Sequence, residues 1–188
     1  IMLRRKKSDV LKELKAKVRY TEIIDADANY YQDELNKIWS KLENEQKTAE
    51  TEFLKHASYQ RAIQSERQAA GVAKLPSVIE FVKNIMEIEE SVVVFCHHKA
   101  IHRLLHESLQ EFHPSSIIGG QTDKDRQANI DRFQNGDTKL MIAGLRAGNL
   151  GINLTRAKYV IFGELDWSPA IHRQAEDRLH RIGQKNTV

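Results

Sequence analysis

The residues best suited to chemistry lie in Gln174-Ala-Glu-Asp-Arg178-Leu-His-Arg181-Ile-Gly-Gln184. On a helix, positions i, i+3 and i+4 share a face, so Gln174, Arg178 and Arg181 point the same way. A guanidinium is a permanently charged fork that matches phosphate oxygens. Two of them aimed across a cleft suit the stabilisation of charge on a transferred phosphoryl group. The competing reading is a solvated basic helix. Upstream, Gly144-Leu-Arg-Ala-Gly148-Asn-Leu-Gly151-Ile-Asn153-Leu-Thr155 follows the apolar run Leu140–Ala143. Glycines after a strand permit a tight turn and close approach of backbone to a phosphate or a neighbouring domain.

These residues need a frame, and the pattern supplies one. Residues 27–70 contain no Gly or Pro and are rich in Glu, Lys, Gln, Ala and Leu, which predicts helix. Tyr31, Leu35, Ile38 and Leu42 fall at helical spacing, as do Phe53, Ala57 and Ala62. Such a stripe is packing rather than a cofactor box. The polar stretch Glu43–Glu52 is either a helix break or a projecting tip. Val18–Ile24 reads as an extended strand, and Gly71 and Pro76 mark a boundary. Beyond it, a helix over Ser77–Ile88 precedes the β-branched run Val92–Cys96. A helix follows at 99–112, then Ile117-Ile118, a helix at 123–134 and Leu140–Ala143. A turn of helix near 147–151, Tyr159–Phe162 and a helix at 169–181 complete the order. Strands alternating with helices of about a dozen residues indicate an α/β fold around a parallel sheet, with ligands at the carboxyl ends of the strands.

Several features narrow the chemistry. No Gly-Lys pair occurs, so the phosphate-cradling loop with its lysine is missing, and the single Asp-Glu pair, Asp33-Glu34, lies in a polar helix. His98, His102 and His106 share a helix face near Cys96, but no Cys-x-x-Cys or His-Glu-x-x-His accompanies them, so no metal site is assigned. Glu164 and Asp166 alternate after a strand, which sends them to opposite faces and argues against a carboxylate dyad. Asp177 reads as a partner for a neighbouring arginine. Phosphate-contact candidates, all just after strands or at helix starts, are His98, Lys99, Gln121, Thr122 and Arg126. Trp167, beside Pro169, reads as a core tryptophan.

The order Val92–Cys96, Gly119-Gly-Gln-Thr122, Arg126–Phe133, the glycine turn, Val160-Ile-Phe, Asp166-Trp-Ser-Pro169 and the two-arginine helix resembles the second RecA-like lobe of the Snf2 family in helicase superfamily 2. Val92–Lys99 matches that family's motif IV region, Ala143–Thr155 its motif V and Gln174–Gln184 its motif VI. The opening Leu3-Arg-Arg-Lys-Lys-Ser-Asp-Val-Leu11 is similar to the element between the two lobes. His97-His-Lys99 and Glu164-Leu-Asp-Trp-Ser-Pro169 lie nearest the annealing-helicase, fork-remodelling branch. The resemblance implies a RecA-like parallel sheet sandwiched by helices, with an N-terminal helical protrusion. Residues 1–75 would be inter-lobe segment and protrusion, and 76–188 the helicase C-terminal lobe.

By the same resemblance, Arg178 and Arg181 are arginine fingers for a nucleotide on the other lobe. Gln174 bonds the nucleotide or orients the fingers, unless it is an ordinary surface glutamine. Gly148 and Gly151 shape the nucleotide-side turn, although relatives commonly have Gly-Gly where this chain has Gly148-Asn149. Asparagine tolerates positive φ, so the turn can survive. Asn153 and Thr155 are DNA-backbone donors or caps of the turn, and Arg146 faces DNA or the cleft. ATP and Mg²⁺ would be bound mainly by the first RecA-like lobe of the same parent protein. Duplex DNA is the implied substrate track. The alternatives are an RNA helicase lobe of the same superfamily and a non-catalytic protein-interaction module.

Composition fits this frame. Net charge is only +3, but residues 1–20 carry eight Lys/Arg against two Asp/Glu, and residues 21–55 carry four against nine. A nucleic-acid surface is therefore a local patch. One cysteine excludes an internal disulfide and fits a reducing compartment. No apolar run approaches the roughly 20 residues of a membrane span. The expected location is a DNA-containing compartment, bacterial cytoplasm or eukaryotic nucleus. Ile1 and Val188 as end residues suggest a piece of a longer protein.

Overall fold

The computed structural model describes residues 17–89, 91–146 and 152–180. The Arg-Arg-Lys-Lys element, the turn predicted near 147–151 with Gly148 and Gly151, and Arg181 lie outside the described residues. The chain divides into two compact units, residues 23–80 and the remainder.

The first unit is a helical hairpin. Helix α1 spans Ala28–Thr48, helix α2 Glu52–Ala73, and helix α3 begins within this unit and spans Leu75–Ile88. Asp27 caps α1 by accepting from the Tyr30 amide, and Thr51 caps α2 by accepting from the Leu54 amide. The predicted tip thus falls at Ala49–Thr51. The Gln46 amide nitrogen donates across the hairpin to the Lys55 carbonyl at 2.7 Å and Ser58 Oγ at 2.8 Å. Gly71 marks no boundary. It is buried inside α2, and the break comes at Lys74, with Pro76 in the first turn of α3, where a missing amide costs nothing.

The second unit holds a four-stranded parallel sheet in the order β2-β3-β1-β4. The strands are β1 Val92–Cys96, β2 Ser115–Ile117, β3 Leu140–Gly144 and β4 Tyr159–Phe162. Helix α4 is Lys99–Ser108, extended by a 3-10 turn at Gln110–Phe112. Helix α5 is Asp123–Asn135, and helix α6 is Pro169–Leu179. Every β1 residue is buried, as a central parallel strand requires. On one face, Val93, Phe95, Met141 and Ala143 pack with Ile130 and Phe133 of α5, Ile152, Leu154 and Ala157, and Ala175 and Leu179 of α6. Ile101 and Leu105 of α4 are buried outside that cluster, and His102 Nε2 lies 3.1 Å from the Ile142 carbonyl. Helices therefore cover both faces, as expected of a RecA-like sheet. Gly136 ends α5 at φ +93, and a Cβ there would lie 3.2 Å from Arg156 Nη2. Arg156 fills that space and donates to the Phe133 and Thr138 carbonyls.

The stretch Val18–Ile24 is not a strand. Val18 and Tyr20 are exposed, and the flanking cations bind α6 instead. Charge, not pairing of backbone, places it.

Candidate nucleotide and DNA face

Because all four strands are parallel, their carboxyl ends share one edge. His97-His98-Lys99 leaves β1 there, Ile118–Gln121 leaves β2, Leu145-Arg146 leaves β3 and Gly163–Trp167 leaves β4. The Leu145 amide donates to the Cys96 carbonyl and the Gly163 amide to the Phe95 carbonyl, so these exits are stitched to β1.

Two carboxylates organise the centre of this edge. Glu164, 4% exposed, accepts from the His97 and His98 amides at 2.8 and 2.9 Å. Its other oxygen lies 2.6 Å from His98 Nδ1, which must therefore carry the donated proton. Asp166 lies 3.1 Å from His97 Nδ1 and 3.4 Å from Arg146 Nε, and accepts from the Ser168 amide. Burial alone would raise the Asp166 pKa. The Ser168 amide, Arg146 and His97 outweigh it and hold the carboxyl below its ordinary value. The Asp166 amide donates to His172 Nε2, so His172 keeps its proton on Nδ1. Glu164 and Asp166 thus converge on adjacent histidines rather than pointing to opposite faces. The strand ends at Phe162, so the period-two rule no longer applies to them.

Helix α6 carries the other candidate residues. Ala175 and Leu179 are fully buried, Gln174 is exposed and Arg178 is half-buried. The Arg178 carbonyl accepts from the Leu154 amide at 3.1 Å, tying the end of the glycine segment to this helix. Asp177 pairs with Lys17 at 2.9 Å, a lysine distant in sequence.

The helicase conserved C-terminal domain family matches residues 73–183. The chain belongs to that family. Within it the relatives are of the Snf2 type. The chain is 33% identical over 193 residues to the Drosophila melanogaster SWI/SNF-related matrix-associated actin-dependent regulator of chromatin subfamily A-like protein 1, covering 100% of this chain and 24% of that protein. It is 30% identical to the human DNA annealing helicase and endonuclease ZRANB3, again across the whole chain and 18% of the relative. It therefore spans about a quarter or less of these relatives' length. The Sulfolobus solfataricus SWI2/SNF2 ATPase core in complex with dsDNA aligns with TM-score 0.69 at 18% identity, covering 99% of this chain and 43% of that one. That likeness shows the fold, a parallel sheet covered on both faces by helices.

Within this helicase lobe the candidate residues separate into three groups. Lys99, Arg146 and Asn153 are exposed. Lys99 lies over the Gly119-Gly120 turn, its Nζ 3.9 Å from where a Cβ on Gly120 would stand, at φ +101. Gln121, Thr122, Thr155 and His98 have local partners. The Gln121 side chain bonds the Ile118 amide and the Ser116 carbonyl. Thr122 caps α5, and Thr155 Oγ1 is 3.4 Å from Gln134 Nε2. Arg126 is half-buried near the start of α5. The three histidines at helical spacing, His98, His102 and His106, do not converge on one point. His98 turns to Glu164, His102 to Ile142 and Ser116, and His106 stacks on His102 at 6.5 Å. Trp167 is 70% exposed, not a core residue, and Leu165 beside it is 60% exposed. The turn locked by Asp166 and Ser168 holds Trp167 outward. Sequence reasoning missed Glu164 and Asp166 as organisers. The available signal was two acidic residues after one strand and two histidines after another.

Proposed function

We propose that this chain is the second motor lobe of an ATP-dependent translocase on double-stranded DNA. Arg178 and Arg181 act as arginine fingers toward ATP held by the first lobe, with Mg²⁺ bound there. The observation that carries the reading is the setting of Arg178. It stands half-exposed on a helix anchored by Ala175 and Leu179, with Gln174 exposed on the same face. Such residues supply one wall of a phosphate site, not an enclosing cradle. The chain alone therefore hydrolyses ATP negligibly, and the missing Gly-Lys loop supports the same conclusion. Lys99, Arg146 and Asn153 contact the DNA backbone, which supplies affinity without sequence information. The exposed Trp167 extends that surface. Closure of the two lobes on ATP completes the site and shifts the grip on DNA.

The test is hydrolysis by the full-length protein. Arg178→Ala or Arg181→Ala is expected to lower duplex-stimulated turnover at least about tenfold, within the range an arginine finger contributes. Near-normal turnover in both variants rejects the finger assignment. Stronger stimulation by RNA than by duplex DNA would favour an RNA helicase lobe.

A further inference from the structure

We propose that Lys17 and Arg19 form a strap that sets the roll of helix α6, making them positioning residues for Arg178. This inference rests on the proposed role of Arg178. The contact spans almost the whole chain. Arg19 lays its fork on one carboxylate, with Nε 2.8 Å and Nη2 2.6 Å from the two oxygens of Glu176. Lys17 Nζ lies 2.9 Å from Asp177 Oδ1 and 3.3 Å from Glu176 Oε2. Bidentate geometry of this kind fixes direction as well as distance.

The geometry of the helix explains why a strap is needed here. The start of α6 is held by Ile171 against the core and by His172, which accepts from the Asp166 amide and meets the Phe162 ring edge-on. Toward the end that carries Arg178 the buried contacts narrow to Ala175 and Leu179, one turn apart, and that end can still roll about their line. At roughly 100° per residue, Glu176 sits about 160° around the axis from Arg178. The strap therefore holds Glu176, on the far side of the helix from Arg178, and Asp177 between the two. The Leu154 amide on the Arg178 carbonyl restrains the same end from another direction. A small roll carries a long guanidinium a large distance, and a misplacement near 1 Å can cost about 10²-fold in rate.

The attachment is electrostatic. Val18 is 46% exposed and Tyr20 80%, so neither anchors the strap by burial. The Glu176 carboxyl is held below its ordinary value, first by the bond from Arg19 against the opposing effect of burial, and then by Lys17. That pair stays charged through the neutral range.

The test uses the full-length protein with ATP at varied concentration and saturating duplex DNA. The double variant Lys17→Ala/Arg19→Ala is expected to lower kcat about tenfold, with KM for ATP and DNA affinity within about twofold. The conservative variant Lys17→Arg, with Arg19 kept, should retain most of kcat, whereas Arg19→Lys, which cannot span both Glu176 oxygens, should not. Hydrogen exchange of the α6 amides should remain protected in all of these variants. Wild-type kcat in the alanine variant overturns the inference. So does an equal rise in KM, or lost protection in α6, which would mark a merely structural contact. Arg178→Ala, run in parallel, separates the two claims. If it is inactive while the strap variant is normal, only the strap fails. If Arg178→Ala turns over normally, the finger reading itself fails.

Discussion

The helical hairpin and the sheet unit are held together by different interactions. In the hairpin, ordering comes from short-range ion pairs such as Lys37–Glu34, Lys47–Glu43 and Lys55–Glu52, and from end caps. Its buried positions within α1 and α2 are few and mostly small: Leu42, Ser58, Ala62, Ala69, Gly71 and Ala73. Trp39, Phe53 and Tyr59 remain exposed. In the sheet unit, large side chains far apart in sequence are sealed from water, among them Phe95, Phe133, Leu140, Met141 and Leu154. Surface ion pairs contribute little each, whereas buried apolar contacts add up and cooperate. The hairpin should therefore open locally while the sheet stays closed. Among the described residues, every candidate for phosphate or DNA chemistry sits on the sheet unit, whose sealed core suits positioning within fractions of an ångström.

That contrast can be broken most directly in the cores. Phe133→Ala removes a fully buried ring and is expected to cost about 3–5 kcal/mol in denaturant unfolding of this chain. Leu42→Ala, at 7% exposure among small neighbours, should fall at the low end of its class, about 2 kcal/mol. Equal losses would erase the distinction. Next in size is the knot at the strand ends. Glu164→Ala strands two backbone amides and should cost about 1–3 kcal/mol. Hydrogen exchange should quicken at His97 and His98 and stay unchanged in the hairpin.

Acid probes that knot and the ion pairs on α6. Asp166 and Glu176 both have pKa values below the ordinary range when folded. A depressed folded pKa gives stability that is complete above the unfolded value, about 4 for a carboxyl, and is lost as pH falls through the folded value. The carboxylate part of the sheet unit's stability should therefore fade only below about pH 4, beneath an earlier loss that begins below about pH 6.5, because burial lowers the pKa of His102 and unfolding lets it take up a proton. Asp166→Asn should flatten that acid limb in a pH series of unfolding midpoints, and an unchanged slope would remove Asp166 from the account.

Much of this was legible in sequence because the information was local or periodic. The hairpin followed from helix-forming composition and the polar interval at Glu43–Glu52. The strands followed from short β-branched runs, and β1, buried at every position, had the continuous apolar reading of a central parallel strand. What failed was set by non-local pairing. Whether His98 meets His102 or Glu164 depends on β4 lying beside β1, and no spacing reveals that register. Trp167 looked like core because aromatic residues usually are, yet the bond from the Ser168 amide to Asp166 fixes a turn that turns it out. The Lys17 and Arg19 contacts with α6 close a span of some 160 residues, beyond the reach of any periodic rule.

The smallest expected effect lies on the hairpin surface. Arg61 Nη2 is 2.8 Å from Glu45, which also has Lys41 at 3.9 Å. The arginine side chain is 63% exposed and the glutamate 31%. Water and Lys41 can replace what Arg61 supplies, so the lost attraction is largely compensated. Arg61→Ala should leave the unfolding midpoint of the chain unchanged within error, and should alter hydrogen exchange only near the end of α1 and the middle of α2. A loss comparable with that of Glu164→Ala would show that the hairpin depends on this cross-helix pair. The distinction between locally ordered helices and a cooperatively sealed sheet would then have to be redrawn.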